Sequence, residues 1–229
     1  MTIEEYFGKW FKVLDIDELN KILKWIKILD PNSICPSISN IFKAFNLCTY
    51  EECKVIFIGQ DPYSDKYLKQ PRATGILFGN DNKITEDYIS PSLTVIKNSV
   101  INFEIPHKSI TFDNSLESWA KQGILMLNSA LTCEVGKPGA HSLKWIPFIA
   151  NLLKNLSLNN TALVYVLFGK QAQSFRRFIN SRSNYILEVN HPSYYARTNT
   201  SMPSNIFEEV NRILYGLYND KIKWFNEII

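Results

Sequence analysis

The hydrophobic residues of the chain concentrate in four short, nearly uninterrupted runs. The runs are KVIFIG at 54–59, ILMLNSAL at 124–131, ALVYVLFG at 162–169 and YILEVN at 185–190. Short runs without polar alternation are typical of strands that are buried on both faces, as the strands of a parallel sheet are. We therefore predict a strand at each run.

Segments between these runs carry apolar residues at the spacing of helices. They are SLESWAKQG, which Gly123 would end, WIPFIANLLKNL, QAQSFRRFIN and the closing NIFEEVNRILYGLY. Residues 1–50 also have a helical pattern, and in IDELNKILKWIKIL it stops at Asp30 and Pro31. Strands that alternate with helices predict an α/β fold, with one domain over residues 1–229. Its three layers would be a central four-stranded, mainly parallel sheet and helices on both faces.

A polar group lies at or beyond the end of each predicted strand. The groups are Gln60-Asp61-Pro62-Tyr63 after the first strand, Asn128 within the second run, Gly169-Lys170 after the third strand and His191-Pro192-Ser193 after the fourth. Ligands of open α/β sheets bind outside the carboxyl ends of the strands. If the four strands are parallel, these groups therefore meet in one crevice.

Each group taken alone also has an ordinary structural interpretation. Asp61 and the proline after it suit a simple turn, and Asn128 could be a buried amide with structural partners. His191 fits a surface histidine, and a strand–glycine–helix junction such as that at Gly169 is common. Phe78, in TGILFGN, would by default belong to the core. For each residue by itself, both interpretations stay open.

Composition excludes some classes of protein and permits others. With 45% hydrophobic and 13% aromatic residues the chain can form a packed core, which argues against disorder. A net charge of +3 permits an anionic partner without requiring one. The start, MTIEEYFGKWFKVLDIDEL, has early acidic residues and no unbroken apolar run, so we expect no signal peptide. No segment reaches transmembrane length. We expect a cytoplasmic protein, or one of the host nucleus or cytoplasm if it is viral, that does not bind membranes.

Residues that bind metals are few and scattered. The chain has three histidines and four cysteines, and the cysteines are Cys35, Cys48, Cys53 and Cys133. No two of them form a Cys-x-x-Cys pair, and their spacing matches no compact iron–sulfur motif. We expect reduced thiols of an intracellular protein. The sequence thus predicts neither a metal nor another cofactor.

Four short motifs follow one another in a specific order. They are GQDPY at 59–63, PSL at 91–93, WAKQGILMLNSALT at 119–132 and HPS at 191–193. In this order they resemble the family-1 uracil-DNA glycosylases, and they lie in the 51–229 part of the chain, beyond the helical N-terminal region. The resemblance implies hydrolysis of the bond between uracil and deoxyribose in DNA, without a cofactor, as the start of base excision repair.

The resemblance implies roles for three residues at the reacting bond and the base. Asp61 would position and activate water, and its charge would stabilise the sugar cation of the transition state. His191 would donate a hydrogen bond to uracil O2, which a neutral imidazole can do. Asn128 would accept from uracil N3–H and donate to O4, whereas cytosine presents the opposite pattern.

Further residues would shape the pocket. Tyr63 would occupy the space near uracil C5, where the methyl group of thymine would clash, and Pro62 would stiffen the turn that carries it. Phe78 would stack on the base. Gln60 would line the pocket and contact uracil through its backbone.

The target base has to leave the duplex stack before it can enter such a pocket. The resemblance implies that serine-containing loops with Ser92 and Ser193 press on the DNA backbone, close to helix N-termini. The substrate would be uracil-containing single- and double-stranded DNA, and the affinity should fall with salt. We expect a monomer, with a proteinaceous glycosylase inhibitor or a replication factor as candidate protein partners.

Two departures from the family pattern lie near the first motif. Ser64 stands where the family usually has a histidine, so support for the water would be weaker. The segment SDKYLKQPRATG is longer than the usual link to the stacking phenylalanine. Its Lys66, Lys69 and Arg72 suit DNA contacts or, as we prefer, a solvated loop.

Two other departures concern expected DNA contacts. Gly169 is followed by Lys170 where the family usually has Gly-Ser, which replaces a neutral hydrogen bond with a charge that suits phosphate. Tyr195 stands at the place of a typical leucine wedge, and a tyrosine could stack in the gap that the base leaves. If this loop has shifted, Arg197 or Tyr194 takes that role.

Other functions compete with uracil excision. The main alternative is a protein that keeps this fold to hold DNA or a replication partner, with weak or altered glycosylase activity. The joint presence of Asp61, Asn128 and His191 argues against a purely structural descendant. A glycosylase for another base is disfavoured by Tyr63 and Asn128, and an unrelated nucleotide-binding protein by the lack of a phosphate-loop motif.

Overall fold

Four strands form the central sheet, close to the positions of the four apolar runs. They are β1 (Val55–Gly59), β2 (Ile124–Asn128), β3 (Val164–Phe168) and β4 (Tyr185–Val189). They lie in the order β2-β1-β3-β4, and all three pairings are parallel. The predicted α/β fold with a four-stranded parallel sheet is thus confirmed in the computed structural model, which describes residues 2–106 and 108–228.

Helices occupy much of the rest of these two ranges. The α-helices there are α1 (Ile3–Phe7), α2 (Ile16–Ile26), α3 (Lys43–Leu47), α4 (Pro91–Phe103), α5 (Glu117–Ala120), α6 (Ser142–Asn159), α7 (Gly169–Gln173), α8 (Pro192–Thr198) and α9 (Asn205–Tyr218). Short 3₁₀ helices cover Gly8–Lys12, Ile38–Asn40, Glu86–Tyr88 and Ser174–Phe178. Antiparallel pairs of two-residue strands join Ile34–Cys35 to Cys133–Glu134, Lys66–Tyr67 to Gln70–Pro71 and Ile110–Thr111 to Asn226–Glu227. Of the helices described, none has the length and apolar character that crossing a bilayer requires.

The strand order places helices on both faces of the sheet. From β1 the chain passes through α4 and α5 to β2 on one side, and from β2 it passes through α6 to β3 on the other side. Crossovers between parallel strands are right-handed, so connections that run in opposite directions cover opposite faces. α4 and α5 therefore flank one face, while α6 and α7 flank the other.

An aromatic cluster ties the C-terminal segment to the sheet. The ring of Phe57 in β1 stacks 6.4 Å from the ring of Trp224, measured between centroids. Trp224 in turn contacts Trp119 of α5 at 4.8 Å and Phe207 of α9 at 5.0 Å. The indole N–H of Trp119 donates to the Trp224 carbonyl at 2.9 Å. The segment after α9 is thus part of the core.

The second strand is shorter than its apolar run predicts. The run continues to residue 131, but β2 ends at Asn128. Beyond it, the Ser129 N–H donates to the Gly59 carbonyl at 3.0 Å and the Ala130 N–H to the Gln60 carbonyl at 3.1 Å. These bonds fasten the exits of β1 and β2 to each other, so Asn128 lies at an exit rather than inside a strand.

The segment QAQSFRRFIN is also not the single helix that its pattern predicts. Helix α7 begins two residues earlier, at Gly169, and the chain passes into a 3₁₀ helix at Ser174.

Helices α4 and α8 were not evident from apolar spacing, and both begin at a proline that follows a capping side chain. Proline is pre-set for the first position of a helix, so these starts carry a recognisable signature.

Replacing Trp224 with alanine should lower the free energy of unfolding by roughly 3–5 kcal/mol, because it leaves a cavity among aromatic rings. Trp224→Phe should cost less. The indole nitrogen of Trp224 is buried without a hydrogen-bond partner among the described residues, so its removal breaks no bond. Urea denaturation monitored by far-ultraviolet circular dichroism gives the free energy of unfolding of both variants.

Leu143→Ala is the control, because Leu143 is 84% exposed and its loss should change stability by at most about 0.5 kcal/mol. If Trp224→Ala is no less stable than this control, the aromatic cluster does not hold the C-terminal segment to the sheet.

Candidate active site

A cavity of about 260 Å³ lies at the carboxyl edge of the sheet, beyond β1 and β2. It is lined by seven of the residues predicted from the sequence, namely Asp61, Tyr63, Phe78, Ser92, Asn128, His191 and Ser193. Each of the four sequence motifs contributes at least one of them. The structure therefore brings together side chains that are far apart in the chain, as the parallel strand order requires.

Asp61 is held by a backbone amide from a distant loop. Its Oδ2 accepts a hydrogen bond of 2.5 Å from the Gly139 N–H. Burial raises the pKa of the Asp61 carboxyl above its ordinary value of 3.8, and the bond from Gly139 opposes that rise. The result is a half-buried carboxylate in a fixed position, which is more basic than one in water.

His191 is a neutral hydrogen-bond donor by geometry and by burial. Its Nδ1 accepts the Ser193 N–H at 3.2 Å and lies 2.9 Å from the Ser193 hydroxyl. A backbone N–H can only donate, so Nδ1 is unprotonated and the neutral ring carries its hydrogen on Nε2. Burial, with a smaller contribution from the positive charge of Arg197, lowers the pKa of His191 to about 4.

Gly169 stands directly behind His191. A Cβ at Gly169 would lie 2.8 Å from the Cβ of His191, and the glycine has a φ of +85°. Both facts require glycine at this position. Gly169 is buried, and Lys170 after it is exposed. Neither residue is among those that line the cavity. Gly169 packs against the imidazole, and a DNA contact by Gly169 and Lys170 stays a prediction.

Asn128 carries an unpaired buried acceptor. Its Oδ1 is buried and has no hydrogen-bond partner among the described residues. The register of the sheet pairs Asn128 with Gly59, where an added Cβ would lie 2.8 Å from that oxygen. An unpaired buried acceptor is costly, so the Asn128 amide has hydrogen-bonding capacity that the described residues do not use.

The rings of Phe78 and Tyr63 form walls of the cavity. The ring of Phe78 lies 5.2 Å from that of Phe168 and 5.4 Å from that of His191, measured between centroids. Phe78 has a φ of +62°, which is uncommon for a bulky residue and indicates that its neighbours impose its position. The Tyr63 hydroxyl donates to the Phe78 carbonyl at 3.1 Å.

A second cleft, of about 350 Å³, adjoins the cavity. Ser92 and Ser193 line both, and Arg72 and Arg197 also line the cleft. Each serine lies in the first turn of its helix, α4 or α8. Two hydroxyls and two guanidinium groups beside the cavity are a chemistry that suits phosphate. Part of Arg72 is engaged already, since its Nε donates to Asp65 at 2.7 Å.

Tyr195 does not lie where the wedge prediction needs it. It is only 8% exposed and belongs to the hydrophobic core, whereas its neighbour Tyr194 is 45% exposed. The reason is the phase of α8, which turns position 195 inward and position 194 outward. A ring in the core cannot enter a DNA stack, so the prediction of Tyr195 as the wedge is wrong. Tyr194, Arg197 and Thr198 are the exposed residues of this helix.

Gln60 also differs from its predicted place. Its carbonyl accepts hydrogen bonds from the Ser129 hydroxyl at 2.8 Å and the Ala130 N–H at 3.1 Å. Gln60 is not among the described residues that line the cavity. It therefore joins the two strand exits to each other.

The sequence did not point to Gly139, whose N–H holds Asp61. Its loop, GKPGAH, contains turn-forming residues, but nothing local indicates which carboxylate it meets. Ser64, which departs from the family pattern, lines the cavity. No group of three or more metal-ligating side chains occurs in residues 2–106 and 108–228.

The chain is similar to known proteins in family, sequence and fold. Residues 45–215 match the family described as the uracil DNA glycosylase superfamily. The uracil-DNA glycosylase of Borreliella burgdorferi is 36% identical over 217 residues, which cover 90% of this chain and 91% of that protein. That of Mycoplasmopsis pulmonis is 35% identical over 193 residues, with coverages of 83% and 82%.

Solved structures show the same fold. Mimivirus uracil-DNA glycosylase superposes with a TM-score of 0.76 at 23% identity. The match covers 98% of this chain and 93% of the mimivirus chain. A variant of mimivirus UNG, solved in complex with UGI, gives a TM-score of 0.78 at 25% identity, with coverages of 91% and 81%. Because the family match and the relatives span most of the chain, and because all four motifs meet at one cavity, the chain belongs to the uracil DNA glycosylase superfamily.

Proposed function

We propose that the chain removes uracil from DNA by hydrolysing the bond between uracil N1 and deoxyribose C1′. The observation that carries this proposal is the convergence of Asp61, Asn128 and His191 on one cavity. Two uracil-DNA glycosylases that match this chain over most of their own length support the proposal. The three groups supply a base, a reader of the pyrimidine edge and a neutral donor.

Asp61 acts on water and on the sugar. As the N1–C1′ bond breaks, its electron pair leaves with uracil and positive charge develops on the sugar. The carboxylate of Asp61 stabilises that charge, accepts a proton from water and directs the hydroxyl to C1′. Gly139 keeps the carboxylate in place by its 2.5 Å bond to Oδ2.

His191 stabilises the uracil anion that leaves. Since Nδ1 is occupied by the Ser193 N–H, the Nε2–H is the donor that meets uracil O2. A neutral imidazole strengthens this bond as charge builds on O2 and requires no proton transfer in the ground state. The leaving uracil then takes up a proton to become the free base.

Asn128 reads the Watson–Crick edge of the base. The unpaired Oδ1 accepts from uracil N3–H, and the amide nitrogen donates to O4. Cytosine has no hydrogen on N3 and presents a donor at position 4, so both polar groups of the Asn128 amide would face the wrong partners. Phe78 stacks on the base, and Tyr63 excludes a methyl group at C5.

Duplex DNA lies across the cavity and the adjoining cleft. The flipped nucleotide enters the cavity, while Ser92, Ser193 and Arg197 hold the phosphates beside it. The exposed ring of Tyr194 is the residue of α8 that we assign to the gap left in the stack. A variant of mimivirus UNG is in complex with UGI, and we propose that a protein inhibitor of this chain would compete for the DNA-binding surface.

Several wider expectations stay predictions. We propose that residues 1–229 work as one domain and as a monomer, and one hydrophobic core that includes both Phe7 and Trp224 supports a single domain. Catalysis without a metal or cofactor predicts that chelators leave the rate unchanged. The intracellular location likewise remains a prediction.

Asp61→Asn should lower the rate of uracil excision on the order of 10²–10⁴-fold, because the amide cannot accept the water proton. Binding of uracil-containing DNA should persist. Single-turnover excision, detected by alkaline cleavage of the abasic strand, and fluorescence anisotropy measure the two effects.

Asp17→Asn makes the same chemical change at an exposed position of α2 and should leave the rate unaltered. Equal rates for wild type and Asp61→Asn would refute the role of Asp61. Absence of excision by the wild type would favour the alternative of a DNA-binding protein on this fold.

Gly59→Ala should weaken binding of free uracil and slow excision by about tenfold or more, since the new Cβ would lie 2.2 Å from Leu77 and 2.8 Å from Asn128 Oδ1. Gly216→Ala in α9 is the matched control, because its Cβ meets no atom within 4 Å. Calorimetric titration with uracil gives the affinities. Unchanged affinity in Gly59→Ala would show that the Asn128 amide does not read the base.

The His191 ring should be neutral at pH 7, with hydrogen on Nε2, and should titrate near the pKa of about 4 rather than near 6.5. Burial raises the pKa of Asp61 above its ordinary value, and a protonated Asp61 cannot act as the base, so excision should fall as the solution becomes acidic. Nitrogen-15 NMR of the ring, assigned with His191→Gln, measures the midpoint. A rate that rises as the pH falls through 6.5 would indicate imidazolium as the donor.

A further inference from the structure

Two polar side chains, those of Asn80 and Ser90, are buried next to Tyr63. Asn80 is 0% exposed and Ser90 is 3% exposed. Burying an amide and a hydroxyl is costly unless both are hydrogen-bonded. Neither residue belongs to the sequence motifs or lines the cavity. Their contacts explain what the buried polar groups do.

The hydrogen bonds among these residues run in one direction. The Tyr63 hydroxyl has a single hydrogen, and it donates this to the Phe78 carbonyl at 3.1 Å. The 2.6 Å contact between the hydroxyls of Ser90 and Tyr63 therefore has Ser90 as its donor. Tyr63 thus gives one hydrogen bond and accepts another, so its ring is held at the hydroxyl end.

Asn80 fixes the orientation of Ser90. Its Oδ1 accepts the Ser90 N–H at 2.7 Å, and its Nδ2 donates to the Ser90 hydroxyl at 3.3 Å. The Asn80 N–H is in turn bonded to the Asn114 carbonyl at 2.8 Å. The chain of hydrogen bonds runs from the Asn80 amide through the hydroxyls of Ser90 and Tyr63 to the backbone carbonyl of Phe78.

Ser90 also begins helix α4. Its hydroxyl accepts the Leu93 N–H at 3.3 Å and thereby caps the helix that carries Ser92. The same oxygen thus fixes both the first turn of α4 and the Tyr63 ring. Burial raises the pKa of the Tyr63 phenol, so the phenol keeps the hydrogen that this chain of bonds requires.

We infer that Ser90, oriented by Asn80, is a positioning residue that fixes the Tyr63 ring against C5 of the bound pyrimidine and so sets discrimination between uracil and thymine. This inference rests on the proposed function, since it concerns the same pocket. Ser90 does not touch the base. Its effect passes through the phenol, which without this bond can tilt away from C5 and make room for a methyl group.

The test is the ratio of the dissociation constants of free thymine and free uracil, measured by calorimetric titration, which needs no catalysis. Ser90→Ala should lower this ratio by about tenfold, the effect of losing one hydrogen bond of ordinary strength. Tyr63→Phe should lower it at least as much, because it removes this bond and also the bond to the Phe78 carbonyl. The double variant should match Tyr63→Phe, because that change alone already removes the bond from Ser90.

Asp15→Ala controls for the lost helix cap. The Asp15 side chain accepts the Glu18 N–H at the start of α2, as Ser90 does for α4. Its melting temperature should fall as in Ser90→Ala, while its thymine-to-uracil ratio should equal that of the wild type. A changed ratio in Asp15→Ala would show that the effect is general loosening and would overturn the inference.

The remaining outcomes separate the inference from the proposed function. A ratio unchanged in Ser90→Ala, or effects of Ser90→Ala and Tyr63→Phe that multiply in the double variant, overturns the positioning role. Excision of uracil from DNA by the wild type is measured alongside. If excision occurs while the ratio stays unchanged, only the positioning role fails, whereas absence of excision refutes the proposed function itself.

Discussion

The in-register parallel pairing of β1 and β2 is the constraint on which the site depends. It sets Gly59 beside Asn128, so that both strands end at the same level. Beyond that level, hydrogen bonds from Ser129 and Ala130 to Gly59 and Gln60 continue to hold the exits together. A shift of one residue would turn every side chain of the strand to the other face. Asp61 and Asn128 would then no longer face one cavity.

Burial acts on the two titratable groups of the site in a consistent way. It disfavours charge, so it raises the pKa of Asp61 and lowers the pKa of His191. The first effect makes the carboxylate a better acceptor of a proton, and the second keeps the imidazole neutral. One dry environment thus prepares a base and a neutral donor, while the Gly139 N–H keeps Asp61 from becoming too weak an acid.

The sequence predicted what depends on strand exits and motifs. Asp61 and His191 follow two of the four apolar runs and Asn128 lies within a third. Parallel pairing brings the exits of such strands together whatever the intervening loops do. The sequence did not predict contacts that depend on the exact path of a loop or the phase of a short helix. Gly139 reaches Asp61 from 78 positions away, and Tyr195 turns inward because of how α8 begins and packs. No local pattern encodes either fact.

The central claim is that the carboxylate, the amide and the imidazole surround a single pyrimidine. The most direct test is a crystal structure of the protein with bound uracil. We expect Asn128 Oδ1 within about 2.7–3.2 Å of uracil N3, His191 Nε2 at a similar distance from O2, and the base stacked on Phe78. Uracil bound elsewhere, or bound in this cavity with Asn128 Oδ1 still unpaired, would contradict the account.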